Sequence, residues 1–438
     1  MYKRVFGVLA IMTAAFAGYG QMAFNTLEEV WQYADTHNTA IKNAAYEVKK
    51  GEREVQRSYL DLLPDVNANA AYTDNLTIQT TLIPAVIFGG PEGVYRPVQF
   101  GQKYTYNAGF TAQLDLVNVQ TWYNTRVARE TKELNKAGLN NTKRNTYQQI
   151  AAQYYAYLLN KEALRLAAIS AAAADSVYAA VNNRFNEGAV SLPNMDVAKL
   201  NSERAQQTLI TARYQLLSSL NSLRGLLGLS VSDSISITQS LGSVSNTVSQ
   251  EAFQEDPSIR LAYHQTLLNY GRYQTANAGA FPTISVLYSN NTQQFDNTFR
   301  PFDAAGPQWF PATYWSLRAS WTVFNGGDRW LRSQKAKLTY LQSKEDEEQA
   351  RRQAAINDDN LRLDHQKTVL LLNKAESVMN LSYDNYRHIS LRYEEGLASL
   401  EDRLRAFTDY ISYQNQYLNS LSEMLVRSYN IKLRQRSF

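Results

Sequence analysis

Two periods of hydrophobic alternation share this chain, and they change over at corresponding places in its two halves. From residue 104 to 116, YTYNAGFTAQLDL, the apolar set Tyr104, Tyr106, Ala108, Phe110, Ala112, Leu114 and Leu116 alternates with Thr105, Asn107, Gly109, Thr111, Gln113 and Asp115. A period of two predicts a strand with one apolar and one polar face. Residues 315–323 repeat the pattern, with Trp315, Leu317, Ala319, Trp321 and Val323 against Ser316, Arg318, Ser320 and Thr322. Weaker strands at about 66–73 and 283–290 precede these two and pair with them across long loops, so four extended segments are expected in all.

After each strand pair the period becomes helical. The stretches from about Val119 to Phe185 and from about Asp328 to Tyr393 are rich in Ala, Leu, Gln, Glu, Lys and Arg, all good helix formers, and both lie in proline-free segments. In the second, Leu372, Met379, Tyr386 and Tyr393 recur every seven residues with Ala375, Ser382 and Ile389 between them, a coiled-coil seam loosened by its serine. Glu347 and Glu348 stand four residues before Arg351 and Arg352, the spacing of a solvated helix face. Each stretch of about 65 residues predicts a helix roughly 100 Å long.

Both long helices end at one phrase, RFNEGAVSL at 184–192 and RYEEGLASL at 392–400, which shares its arginine, its Glu-Gly pair and its Ser-Leu ending. Gly188 and Gly396 supply the permissive backbone of a reversal, and helices from about Asn194 to Leu229 and from about Glu401 to Arg434 follow. Each phrase thus reads as the turn of a helical hairpin; a glycine-marked kink in one continuous helix is the alternative. A helix precedes each half: 26–62, opened by Thr26 and Glu29 in capping-box spacing and stopped at Leu63-Pro64, and 258–280, stopped before Pro282. The fold class expected is mainly α with a small β part and an internal duplication. The divisions are a leader at 1–20, a first repeat at 21–229, a Ser-rich connecting segment at 230–257 and a second repeat at 258–438.

Composition changes the picture in three ways. Lys3 and Arg4, the apolar stretch from Val5 to about Phe16 and the small residues Ala15, Ala17, Gly18 and Gly20 make the start a secretory signal peptide, with cleavage after Ala17 and after Gly20 both fitting. Cysteine is absent from the 438 residues, which excludes disulfides, thiolate metal sites and a cysteine nucleophile. The formal charge of +4, less the two leader charges, offers no broad basic face for nucleic acid.

Beyond the leader no unbroken run of 18 apolar residues marks a membrane helix. His37, His264, His365 and His388 are the only histidines; none has metalloprotease spacing, and they read as solvated helix-surface residues rather than ligands. No G-x-S-x-G, P-loop or dinucleotide fingerprint appears, so neither an enzyme nor a cofactor is expected.

The alternating strands carry the functional signal. A secreted chain with strands of membrane-crossing length and aromatic residues suited to interfacial girdles reads as a membrane β-protein, although a soluble half-buried sheet alternates in the same way. Only a closed barrel leaves no unpaired edge in lipid, and the smallest membrane barrels use about eight strands. Four strands per chain therefore imply that several copies share one barrel.

The order helix, strand, loop, strand, long helix, glycine turn, helix, stated twice, resembles the TolC-like outer-membrane efflux proteins. The local mark is SLRASWTVFNGGDRWLRSQKA at 316–336, similar to the family's strand-to-helix passage with Phe324, Asn325, Gly326 and Gly327 at its core; FTAQLDLVNVQTWYNTRVA at 110–128 is a version without the glycines. The resemblance implies a homotrimer with a 12-stranded barrel in the outer membrane of a Gram-negative bacterium, continued by an α-helical periplasmic tunnel. It also implies that the turns, with Arg184, Gly188, Arg392 and Gly396, meet the periplasmic adaptor protein of an inner-membrane transporter.

For the gate, the resemblance matches the family's aromatic residue to Tyr393 and its constriction-lining acid to Asp402. A second acidic position is Arg405 here, the latch arginine is Ala398, and its acidic partner is Asn194. A hydrogen bond from Asn194 to Tyr393 and an acid supplied by Asp196 are the two closing contacts left open. Three copies each of Asp402 and Arg405 are then expected to set the charge selectivity of the closed end.

Two rival classes stand beside this one, a soluble periplasmic coiled-coil adaptor and a porin-like adhesin. The loop TLIPAVIFGGPEGVYRPVQFG at 81–101 is unusually apolar for an exposed tip.

Overall fold

The computed structural model describes residues 22–241, 252–300 and 307–437; the leader lies outside them, as does part of the connecting segment. In chain order the elements are β1 (Met22–Phe24), α1 (Leu27–His37), α2 (Thr39–Leu60), β2 (Asp65–Asp74), β3 (Thr80–Pro84), β4 (Tyr95–Gln99), β5 (Tyr104–Val117), α3 (Val119–Asn186) and α4 (Leu192–Leu227). There follow β6 (Ile235–Ile237), α5 (Pro257–Ala278), β7 (Thr283–Asp296), β8 (Phe310–Ser320), α6 (Asp328–Glu394) and α7 (Leu400–Gln435). Both 3.6-period stretches are unbroken helices, and both end where the repeated phrase begins its turn. The chain divides into two compact units, each drawing segments from both halves of the sequence: one holds residues to Tyr46, Ala137–Leu261 and from Gln349 on, the other Glu47–Lys136 and Ala262–Glu348.

The first unit is mainly helical. Its core joins Leu27, Val30 and Ala34 of α1, Tyr154, Tyr155 and Leu158 of α3, Leu223 and Leu227 of α4, and Met424 and Leu425 of α7. Trp31 stacks on Tyr147 at 5.0 Å between ring centres, and its indole N–H donates to the Tyr147 carbonyl at 3.1 Å, so a large apolar side chain is buried with its one donor satisfied. In the second hairpin the predicted seam is the one observed: Leu372, Ala375, Met379, Ser382, Tyr386, Ile389 and Tyr393 are all covered, while of the other residues between Leu372 and Tyr393 only Ser390 is. Tyr386 meets Phe407 of α7 at 5.3 Å. The first hairpin adds a polar tie: Ser202 Oγ and Gln206 Nε2 of α4 donate to the two oxygens of Asp175 on α3 at 2.5 and 2.6 Å.

Near the C-terminus of α7 a buried charge cluster holds the end of the connecting segment. Arg434 donates to both oxygens of Asp358 on α6 at 2.7 Å each and to the Gln254 carbonyl at 3.0 Å. Asp256 takes Arg144 of α3 as its second cation and accepts from the Ser258 hydroxyl and amide. Burial works to raise the Asp256 carboxyl, but the two bonds from Ser258 and the charges of Arg144 and Arg434 outweigh it, and its pKa lies below the usual carboxylate value.

The second unit carries a four-stranded antiparallel sheet in the order β2-β5-β7-β8. The expected pairs β2 with β5 and β7 with β8 are present, and β5 with β7 joins the two halves of the duplication. The observed strands are longer than expected in β7 and displaced in β8, so Trp321 and Val323 fall beyond the strand end.

Four features differ from the sequence expectation. The helix at 26–62 is two helices, because Asn38 turns out at ψ 127, donates to the Leu226 carbonyl at 2.6 Å and caps α2 by accepting from Ile41 N–H. Among the described residues four further strands stand beyond the four predicted: β1 pairs in parallel with β6, and β3 with β4 makes the apolar loop a hairpin. Two histidines are half-buried rather than freely solvated; His365 contacts the Ser428 hydroxyl at 3.1 Å and His264 lies 3.6 Å from Glu130. Finally, α3 contains an 18-residue stretch apolar enough by composition to cross a bilayer, only 22% buried, because its many alanines raise the average without forming an unbroken apolar run.

Candidate gate at the helical tips

The two tips are built alike. At the end of α3 the Ala189 N–H donates to the Arg184 carbonyl at 2.8 Å and the Gly188 N–H to the Phe185 carbonyl at 2.9 Å. At the end of α6 the Leu397 N–H donates to Arg392 at 2.7 Å and the Gly396 N–H to Tyr393 at 3.0 Å. Both sets are Schellman closures, and both glycines sit at φ 76° with open space where a Cβ would go. The glycines are thus required by backbone conformation alone. Arg184 and Arg392 supply the carbonyls that close the turns, and Arg392 also donates from its guanidinium to the Leu397 carbonyl at 3.3 Å.

The tips diverge one turn later. Ser399 caps α7 in a full capping box: the Asp402 N–H donates to Ser399 Oγ at 3.0 Å, while the Ser399 hydroxyl and N–H donate to Asp402 Oδ2 at 2.6 and 3.3 Å. The Ser399 hydroxyl is the main cause that holds the Asp402 carboxyl below its usual pKa, followed by the Ser399 amide, with Arg405 and Arg392 adding to it. At the matching place in the first tip stands Asn194, whose own N–H donates to the Ser191 carbonyl at 3.1 Å, and Ser191 makes no side-chain cap. A neutral amide replaces the anion and the cap is lost with it.

Of the residues expected at the gate, Asp402, Arg405 and Asn194 are exposed, and Tyr393 is half covered beneath the Arg403 guanidinium at 5.2 Å. Arg405 reaches Glu401 at 3.5 Å. No hydrogen bond joins Asn194 to Tyr393 within the chain. Two residues went unnamed in the sequence expectation: Ser399, whose Ser-x-x-Asp spacing was a readable capping signal, and Arg403, whose placement over Tyr393 depends on the hairpin closing. Among the described residues no three His, Asp or Glu are grouped to hold a metal ion.

Residues 30–229 match the family model described as outer membrane efflux protein. No curated protein matches the sequence. Among solved structures, the chain is similar to the outer membrane protein VceC of Vibrio cholerae, with TM-score 0.73 and 15% identity over 93% of this chain and 94% of that one. It is also similar to the open-state MtrE outer membrane channel of Neisseria gonorrhoeae, with TM-score 0.73 and 18% identity over 93% and 88% of the two chains. The CmeC outer membrane channel of Campylobacter jejuni gives TM-score 0.72 and 13% identity over 93% and 85%. The family resemblance carried by the strand, passage and tip sequences is borne out: residues 30–229 carry the sequence pattern of outer membrane efflux proteins, and the chain has the fold of their channels.

Proposed function

We propose that three copies of this chain form an exit duct in the outer membrane of a Gram-negative bacterium, which carries substrates from an inner-membrane transporter and its periplasmic adaptor to the outside. The observation that carries this reading is the open sheet. Strands β5 and β7 are bonded on both sides, whereas among the described residues β2 and β8 each keep one free edge, with Val66, Tyr72, Trp315 and Leu317 exposed. Such edges do not survive in lipid unless another chain completes them. Three four-stranded sheets close a 12-stranded barrel, and the helical hairpins continue it as a tunnel. A soluble adaptor has no use for exposed tryptophan and leucine on a sheet with two open edges.

The tips are the gate and the adaptor-docking points in this reading. Six turns per trimer present Arg184, Gly188, Arg392 and Gly396, and Tyr393, Asn194, Asp402 and Arg405 lie beside them. Asp402, kept anionic by its cap, favours cations at the closed end, and Arg405 opposes it.

The test is extraction from the outer membrane in detergent, native mass measurement and reconstitution in planar bilayers. A trimer whose Asp402→Asn variant loses cation preference and whose Arg405→Ala variant gains it is the expected result. Unchanged conductance and selectivity in both variants removes the gate residues, and a water-soluble monomer removes the duct.

A further inference from the structure

The free edges of β2 and β8 carry enough information to specify how one copy joins the next. We infer that β8 of one copy pairs antiparallel with β2 of its neighbour in a single register, Ser316 opposite Asn69, and that Arg318 meets Asp65 of the neighbouring copy across this seam. This rests on the trimeric duct proposed above.

The register follows from closure. Twelve strands tilted about 35–45°, spaced about 4.8 Å and rising about 3.3 Å per residue, need a total stagger of roughly 12–18 residues around the barrel, or about 4–6 per copy. Within one copy the row from Asp65 runs straight across Gln113 and Leu287 to Ser316. The stagger must be even, since an odd shift turns every side chain to the wrong face. A shift of four sets residues 311–320 against 65–74 end to end. A shift of six leaves Asp65 and Val66 past the end of β8, and a shift of four the other way leaves nearly all of β8 unpaired.

Side-chain size and charge agree with the same register. On the apolar face, Trp315 falls opposite Ala70 and Leu317 opposite Ala68 of the next copy, two large groups on two small ones. Trp315 and Leu317 are 73% and 61% exposed in the single chain. On the polar face, which lines the lumen, Tyr314 falls opposite Ala71, and Arg318 falls opposite Asn67, one pair from Asp65. A diagonal neighbour lies about 7–8 Å away along the pleat, within reach of an arginine. In its own chain Arg318 stands opposite Ser285 and makes no ion pair among the described residues. Asp65 is exposed and touched by the Asn67 amide at 3.1 Å. The two edges therefore bring opposite charges to the lumenal side of the seam.

Because the chain has no cysteine, introduced pairs report the register without background. Asn69→Cys is combined in turn with Ala312→Cys, Ser316→Cys and Ser320→Cys, oxidised in detergent-extracted protein and run without reductant, beside a native mass measurement. The inference expects a covalent trimer with Ser316→Cys and none with the other two, whose Cα atoms lie beyond the roughly 7 Å that a disulfide spans. A trimer that crosslinks through Ala312→Cys or Ser320→Cys, or through none of the three, overturns the register and leaves the duct standing. A monomer overturns both. For the ion pair, Arg318→Asp lowers the temperature at which the trimer dissociates in SDS, and adding Asp65→Arg restores it; no drop, or no restoration, overturns the pairing.

Discussion

Replacing Arg434 by methionine tests how the end of α7 is tied to α6 and to the connecting segment in the helical unit. The guanidinium is only 7% exposed and its partner carboxylate Asp358 21%, so neither solvent nor salt screens the pair strongly. Removing one member of a buried ion pair costs about 3–5 kcal/mol, because the other is left charged and unmatched. The low end applies here: Asp256 keeps Arg144, and Asp358 retains some contact with water. The Gln254 carbonyl loses its side-chain donor as well. A loss of about 3 kcal/mol is roughly a 100-fold rise in local opening. Hydrogen exchange read by mass spectrometry measures it without requiring all-or-none unfolding. The amides of Ser428–Arg434 and of Gln254 are expected to lose about 100-fold protection, while those of β5 and β7 stay unchanged. Asp358→Asn added to Arg434→Met should recover part of the loss, since it removes the stranded charge. A change below about threefold, or full additivity of the two substitutions, refutes the reasoning.

Acid acts on the same cluster through Asp256. Its folded pKa is depressed, so its contribution is present above the ordinary carboxylate value of about 4 and is lost as pH falls through the lower folded value; exchange at Gln254 should rise only below about pH 4. Gly188→Ala and Gly396→Ala should each cost about 1 kcal/mol, with Asn tolerated better, since open space leaves only the left-handed backbone to penalise; limited proteolysis at the tips reads the difference. Asn38→Ala removes the bond to Leu226 and the cap of α2, and should cost about 1–2 kcal/mol in thermal unfolding followed by circular dichroism. In the proposed duct, acidification through the depressed Asp402 pKa should abolish the cation preference expected of the closed end below about pH 4 and not above it, as measured by reversal potentials.

Most of the architecture was legible along the chain because its elements follow from near-neighbour patterns. A heptad seam covers one face of a helix and an alternating strand separates an apolar from a polar face, and those periods are written residue by residue. The Leu372 to Tyr393 seam and the β5 alternation were therefore readable, as were the glycines that end both long helices. The break at Asn38 was not, because nothing local distinguishes it from a continuing helix; the Leu226 carbonyl that holds its side chain lies 188 residues away. The short parallel pair of β1 and β6 escaped for the same reason, three residues being too few to show a period.

The candidate gate divides along this line too. Its positions could be counted from Gly188 and Gly396, and the contrast of Asn194 with Asp402 was visible as letters. That Asp402 is tied to Ser399 was written in the spacing, whereas the cover of Arg403 over Tyr393 and the charges of Arg392 and Arg405 around Asp402 needed the hairpin to close. By itself the sequence determined the long helices, the four strands that share one sheet, and the two places where the chain reverses at a glycine. Only the tertiary structure decided which halves of the duplication share a sheet, which carboxylates are capped or paired, and which two strand edges are left open. Periodicity is a local property of the chain, while pairing, burial and an unpaired edge depend on residues far apart in sequence.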